Sequence, residues 1–192
     1  MKKLLLVWAV AFFSNVMAQT VIDKGYYLVE YSMEYKQPLN VSYNVECPES
    51  GFSRKGLSFF TDGAYRQSGS EDYYKNVWDK GHMAPAASFD CTPQMLKSTF
   101  SYLNCALQHE KLNRGAWKYL EMYERRLALY TDVRVDIKVH FDKNMGITPG
   151  GARIPSGFTK TLTTDDEVQT FYFNNEAPLF KGSDSFRYYQ IK

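Results

Sequence analysis

The chain has no internal repeat, no excess of charge, no Cys-x-x-Cys pair and no apolar run that would cross a bilayer. Each absence excludes something. A membrane-spanning helix needs about 20 apolar residues, and the run Leu4 to Phe13 is too short. With no later run of that kind, no membrane contact is expected of the mature form. Without a Cys-x-x-Cys pair, a thiolate zinc site is disfavoured. The chain carries 23 Lys and Arg against 21 Asp and Glu, and setting aside Lys2 and Lys3 leaves 21 against 21. Such a chain has no global field to draw in a polyanion, so any nucleic-acid binding must come from a local basic groove. No low-complexity or Pro/Ser-rich stretch divides the sequence, and residues 19–192 are expected to form one domain with a sizeable core.

What is present begins with a compartment signal. Lys2 and Lys3 precede the apolar run, and Ser14-Asn15-Val16-Met17-Ala18 ends with small or apolar residues before Gln19. A positive start, a short apolar core and a small cleavage site describe a secretory signal peptide over residues 1–18. The expected location is therefore secreted or periplasmic. Cysteine usage is odd: Cys47, Cys91 and Cys105 cannot all pair within one chain. Cys105 sits in the apolar stretch Tyr102 to Leu107 and reads as a buried thiol, which leaves Cys47 with Cys91 by remainder.

Hydrophobic periodicity sets the fold class. Tyr26 to Tyr31, Leu39 to Val45, Val133 to Phe141 and Gln169 to Phe173 read as strands, with alternation cleanest over Val133 to Phe141. Cys47 to Gly51 has the residues of a turn that closes the first pair. Trp78 to Pro85, around Gly81, reads as a strand end or loop. One helix is expected from near Asn113, with Asn113 as its cap and Leu112 and Trp117 as a hydrophobic staple. Strands on both sides of a central helix imply an α+β domain with a mainly antiparallel sheet flanked by helices.

Two segments are not explained by periodicity. Asp79-Lys80-Gly81-His82 places an acid, a base, a glycine and an imidazole in four positions. Imidazole suits proton transfer near neutral pH, and glycine lets the backbone turn or approach another chain closely. The second segment holds Asn104, Gln108, Asn113 and Glu121. On a regular helix Glu121 would lie ~80° around and ~12 Å along from Asn113, too far for both to grip one ion but near enough to share its water. Mg²⁺ keeps several waters and takes few protein oxygens, so a single amide with a carboxylate nearby would suit it.

In order and spacing these residues resemble the DNA/RNA non-specific endonucleases of the ββα-metal type, a family that includes secreted bacterial nucleases and mitochondrial endonuclease G. The family's Asp-Arg-Gly-His element is matched by DKGHMAPAASF, its Phe and Asn-x-x-x-Gln element by Phe100 and LNCALQ, and its Asn-x-Gly-x-Trp-x-x-Leu-Glu by NRGAWKYLE. Arg54-Lys55 before Phe59 to Asp62, and IPSGFTK at Ile154 to Lys160, are similar to two further elements. The resemblance spans roughly Tyr26 to Phe173.

The resemblance implies a ββα-metal catalytic motif that cuts DNA and RNA without sequence preference, leaving 5′-phosphate ends. His82 would be the general base and Asn113 the one side-chain ligand of Mg²⁺, with Mn²⁺ the other candidate. Glu121 would orient water on the metal, and Asn104 would support the site from behind. Arg54 or Lys55, with Arg54 preferred, would stabilise charge on the phosphoryl group, and Lys80 would hold the phosphate. Two departures are visible: Lys80 stands where the family has Arg and so lacks the planar two-donor fork, and Leu107 stands where it has Pro. The rival reading is a catalytically silent, secreted nucleic-acid-binding module of the same fold, favoured by the neutral charge and by Lys80. A purely structural β-rich domain is a third.

Overall fold

The computed structural model describes residues 19–49 and 51–192, so the proposed signal peptide lies outside the described residues. Seven strands form the large sheet: β1 (Gln19–Asp23), β2 (Tyr27–Ser32), β3 (Gln37–Asn44), β6 (Arg134–His140), β7 (Gly157–Thr163), β8 (Val168–Asn174) and β9 (Gln190–Ile191). They lie side by side in that order, and every neighbouring pair is antiparallel. Alternation decides which face each strand buries. In β6, Val135, Ile137 and Val139 point into the core while Arg134 and Lys138 face outward. Strands β2 and β3 are joined at residues 33–36, where Lys36 takes a positive φ of 52°. The segment after Cys47 therefore does not close that pair, as its composition suggested, but leads away from the sheet.

A second, two-stranded sheet pairs β4 (Trp78–His82) with β5 (Cys105–His109). Between them lies helix α1 (Pro93–Ser98), capped by the Thr92 hydroxyl and opened by a proline. The pair is fastened to the large sheet by buried amides. Gln37 accepts the Leu107 N–H at 2.9 Å, a bond that a proline at that position would lack. Asn175 donates to the carbonyls of Leu107 and Pro155, each at 2.9 Å.

The chain then passes through α2 (Glu110–Leu112), a π-helical turn at Asn113–Trp117, and α3 (Lys118–Leu127). The helix starts three residues before Asn113, and His109 accepts the Lys111 N–H as its cap. Asn113 itself has helical dihedrals and is not an N-cap, which frees its amide for a partner on β4. Leu112, Ala116, Trp117 and Leu120 bury the inner face of this segment in the core that contains Val135, Ile137, Phe158 and Phe173. Trp117 packs between Phe158 and Phe173, with ring centroids 5.5 and 5.6 Å away. The result is the expected α+β architecture, with a ββα unit (β4, β5 and the helical segment) against one antiparallel sheet. No helix among the described residues is long and apolar enough to cross a membrane.

Candidate active site

Strand β4 carries the first part of the site. Lys80 and His82 are two residues apart and so share one face of the strand. Gly81 has no positive φ, and its role is close packing. A Cβ there would lie 2.5 Å from Gln108 Oε1 and 2.7 Å from its Cβ, across the β4–β5 pair. The His82 ring is packed against Phe59 at 4.7 Å and Phe100 at 4.9 Å. Burial first, then the nearby positive charge of Arg54, pushes the imidazole down to about 3. His82 is thus a free base at neutral pH. Its Nε2 is shielded and has no hydrogen-bond partner in the protein.

Lys80 is held differently from a fork-like arginine. Its ammonium lies 5.3 to 5.8 Å from the ring centroids of Tyr102, Phe59 and Tyr73. Three aromatic faces restrain the charge by cation–π attraction, which supplies positioning that the flexible side chain lacks by itself.

The π turn explains how Asn113 is aimed. Gly115 departs from helical dihedrals (φ −109°, ψ −117°) and interrupts the regular advance of the helix, so the angular offset of an ideal helix does not apply. Asn113 Nδ2 donates to Asp79 Oδ2 at 2.9 Å, while Arg114 grips both oxygens of the same carboxylate at 2.8 and 2.6 Å. Asp79 therefore bolts the strand to the turn. With the NH₂ end of Asn113 engaged, its carbonyl oxygen is the end that a hard cation would take.

Glu121 lies eight residues on, partly open to the same cleft. Burial pushes its carboxyl up to about 7, Lys160 opposes that rise and Glu124 adds to it. Beneath it is a fully buried ion pair, Glu124 to Lys160 at 2.6 Å. Tyr43 donates to the other Glu124 oxygen at 2.8 Å. Lys160 also lies 4.9 Å from the Trp117 ring centroid.

Asn104 works from outside the cleft. It is fully buried, it accepts the Ala84 N–H at 2.7 Å, and it donates to the carbonyls of Ala84 and Thr99 at 2.8 and 2.9 Å. These bonds fix the backbone just beyond His82. Arg54 and Lys55 sit on an exposed loop. That loop is tied down by the Cys47–Cys91 disulfide and by the Phe52 N–H to Asp90 carbonyl bond at 2.7 Å. Cys105 is a buried free thiol.

His82, Lys80, Asn113, Glu121, Arg54 and Lys55 line one cleft of about 1190 Å³. Asn104 does not line it. Arg54, Lys55, Lys80, Arg114, Lys118 and Arg125 face it against only Asp90 and Glu121. A chain of nearly balanced charge has gathered a local basic groove. Among the described residues no three His, Cys, Asp or Glu side chains gather to hold a metal ion. The donor set instead fits a cation that takes one amide oxygen and fills its remaining positions with water. Sequence pattern alone assigns no role to Asp79, Arg114 or the Glu124–Lys160 pair. Asp79 had a signal in its place within DKGH. Lys160 had one as the last residue of IPSGFTK, whereas Glu124 had none, because an isolated charge on a helix reads as solvated.

The chain matches the family described as DNA/RNA non-specific endonuclease over residues 11–191. It is 42% identical over 67 residues to the mitochondrial nuclease EXOG of Danio rerio, a stretch covering 34% of this chain and 20% of that protein. Mitochondrial endonuclease G of Homo sapiens is 38% identical over 65 residues, 34% of this chain and 22% of that protein. A nuclease of Serratia marcescens is 31% identical over 118 residues, 55% of this chain and 43% of that protein. The matched stretches thus span under half of each relative's length. In fold, the chain resembles a chain of the crystal structure of the EndoG/EndoGI complex, with a TM-score of 0.77 and 23% identity over 90% of this chain and 80% of that one.

Proposed function

Because the chain belongs to the DNA/RNA non-specific endonuclease family, we propose that it hydrolyses phosphodiester bonds of both DNA and RNA, with Mg²⁺ as cofactor and Mn²⁺ as a substitute. One observation carries the reading: a neutral, unpartnered imidazole and an oriented amide open onto the same basic cleft. His82 takes the proton of a water that attacks phosphorus. The bond from phosphorus to the 3′ oxygen breaks, that oxygen picks up a proton from solvent, and the phosphate stays on the 5′ end. Asn113 would hold the cation, which when bound would supply Lewis-acid stabilisation of charge on the phosphoryl oxygens. Glu121 orients water beside the Asn113 amide. Arg54, Lys55 and Lys80 bind phosphate oxygens, which carry no sequence information, and this supports tolerance of base and sugar. Asn104 keeps the His82 strand in place.

We also assign the chain, as one domain over residues 19–192, to an exported location, secreted or periplasmic. The motif in residues 1–18 and the Cys47–Cys91 disulfide support it.

A plasmid-nicking and RNA-degradation assay tests the activity. Wild type should cut both polymers with Mg²⁺ and neither with EDTA. His82→Ala should lose about 10²- to 10⁴-fold, the range of a lost general base, while it melts like wild type. Near-normal cleavage by His82→Ala removes the assignment. Salt-dependent binding with no cleavage by wild type would favour the silent binding module instead.

A further inference from the structure

A second concavity of about 440 Å³ adjoins the catalytic cleft, and Arg114 lines both. Its wall is made by Gly115 and Tyr119 of the helical segment and by Pro178, Phe180 and Ser185 of the segment after β8. Phe180 is 41% exposed, and Tyr188 stacks on it at 4.0 Å with an interplanar angle of 11°. A ring backed in this way presents a fixed apolar surface. Ser185 is 2% exposed, yet its hydroxyl has no hydrogen-bond partner in the protein. A buried polar group of that kind is costly unless something completes it. Lys111, Arg114 and Lys181 surround the opening against Glu110 alone. An aromatic surface, an unpaired hydroxyl and a basic rim are what an unstacked nucleobase and its phosphate require.

The geometry points to a subsite for one unpaired base of the strand that lies in the cleft. The base stacks on Phe180, a polar edge or sugar hydroxyl bonds Ser185 Oγ, and Lys181 meets the neighbouring phosphate. This inference rests on the proposed nuclease reading and extends it. Substrates with unpaired or readily opened bases, namely single-stranded DNA and RNA, are favoured over stiff duplex. Continuity through Arg114 and the sign of the rim argue for a nucleic-acid strand as the occupant rather than a second copy of this chain, whose balance of charge offers the rim nothing.

The test measures binding of a fluorescent thymidine oligonucleotide, and of the same strand with abasic nucleotides, to the full chain in EDTA. Phe180→Ala should raise the Kd for the thymidine strand about tenfold, the scale of one lost stacked base, and leave the abasic strand unchanged. Ser185→Ala should weaken binding without lowering the melting temperature, since it removes an unsatisfied group. Lys181→Ala should reduce the slope of log Kd against log salt by about 0.7. Equal effects of Phe180→Ala on both strands overturn the subsite. So does a dimer in sedimentation that Phe180→Ala dissociates. Hydrolysis of bis(p-nitrophenyl) phosphate with Mg²⁺ separates the two readings, because that diester is too small to reach Phe180. If wild type and Phe180→Ala hydrolyse it equally while the binding difference is absent, the subsite fails and the nuclease stands. If wild type hydrolyses neither the diester nor a long strand while the base-dependent difference persists, the nuclease fails and the base site stands. If wild type neither cuts nor binds, both fall.

Discussion

Replacing Glu121 by Gln separates what the carboxylate does for chemistry from what it costs the fold. The carboxyl is pushed from 4.5 to about 7, mainly by burial. Below about 4.5 the folded and unfolded chains both hold the proton, so the group is neutral in each. As pH rises through 7 the fold must carry a poorly solvated charge that the unfolded chain ionises freely. Stability is therefore present at low pH and lost across the window from 4.5 to about 7. A tenfold change in proton affinity corresponds to ~1.4 kcal/mol, so a fully buried carboxylate would cost ~3 kcal/mol. Its partial exposure to the cleft screens that to about 1–2 kcal/mol. Gln has the same shape and no charge. In metal-free protein Glu121→Gln should melt about 2–8 °C higher than wild type at about pH 8.5 and no higher at about pH 4. Cleavage should meanwhile fall roughly 10- to 100-fold, as expected when a group that orients a metal's surroundings is lost. Thermal melts in EDTA at the two pH values, with a plasmid-nicking rate in Mg²⁺, read out both halves. A variant no more stable than wild type at the higher pH, or equally stabilised at both, would show that Glu121 is not a desolvated carboxylate held for function.

Three other perturbations bear on the supports of the site. Lys160→Met leaves the Glu124 carboxylate buried with Tyr43 and Ser88 as its remaining partners, and should cost about 3–5 kcal/mol in urea unfolding. Adding Glu124→Leu should recover most of that loss, and an unrecovered loss would mean that packing rather than charge sets the cost. Asp79→Ala releases both Asn113 and Arg114. Mg²⁺ affinity, measured by calorimetry, should drop roughly 10- to 100-fold, with little change in melting because Arg114 is largely exposed. An unchanged affinity would dissociate Asp79 from the cation site. Replacing Cys47 and Cys91 together by Ser opens a crosslink spanning 44 residues and should destabilise by about 2–4 kcal/mol. It should also raise KM more than it lowers kcat, because the loop bearing Arg54 and Lys55 loses its anchor. An unaltered KM would separate that loop from substrate.

Local chemistry made several parts of this protein readable from sequence. Alternation along Val133 to Phe141 revealed β6, because each side chain in a strand answers only to the face it points toward. DKGH and NRGAWKYLE carried the site because their residue types have few other uses together. Elsewhere a competing local signal masks the outcome. Asn113 had the composition of a cap, but its amide goes to Asp79, 34 residues away. Strand β5 and helix α1 are not legible in the sequence, since four consecutive buried residues on a five-residue strand show no alternation and six helical residues span under two turns.

The amino-acid order by itself thus determined the strongly patterned elements, the family and the identity of the candidate base, amide and carboxylate, all of which rest on short-range patterns. Only the tertiary structure decided where charge is free to act. It folded a chain of nearly balanced charge so that six cations face one cleft, and it keeps the His82 imidazole uncharged by desolvating it beside Arg54. It also buried Lys160 against Glu124 beneath the site. Those outcomes depend on desolvation and on distances between residues far apart in sequence, which no local pattern encodes.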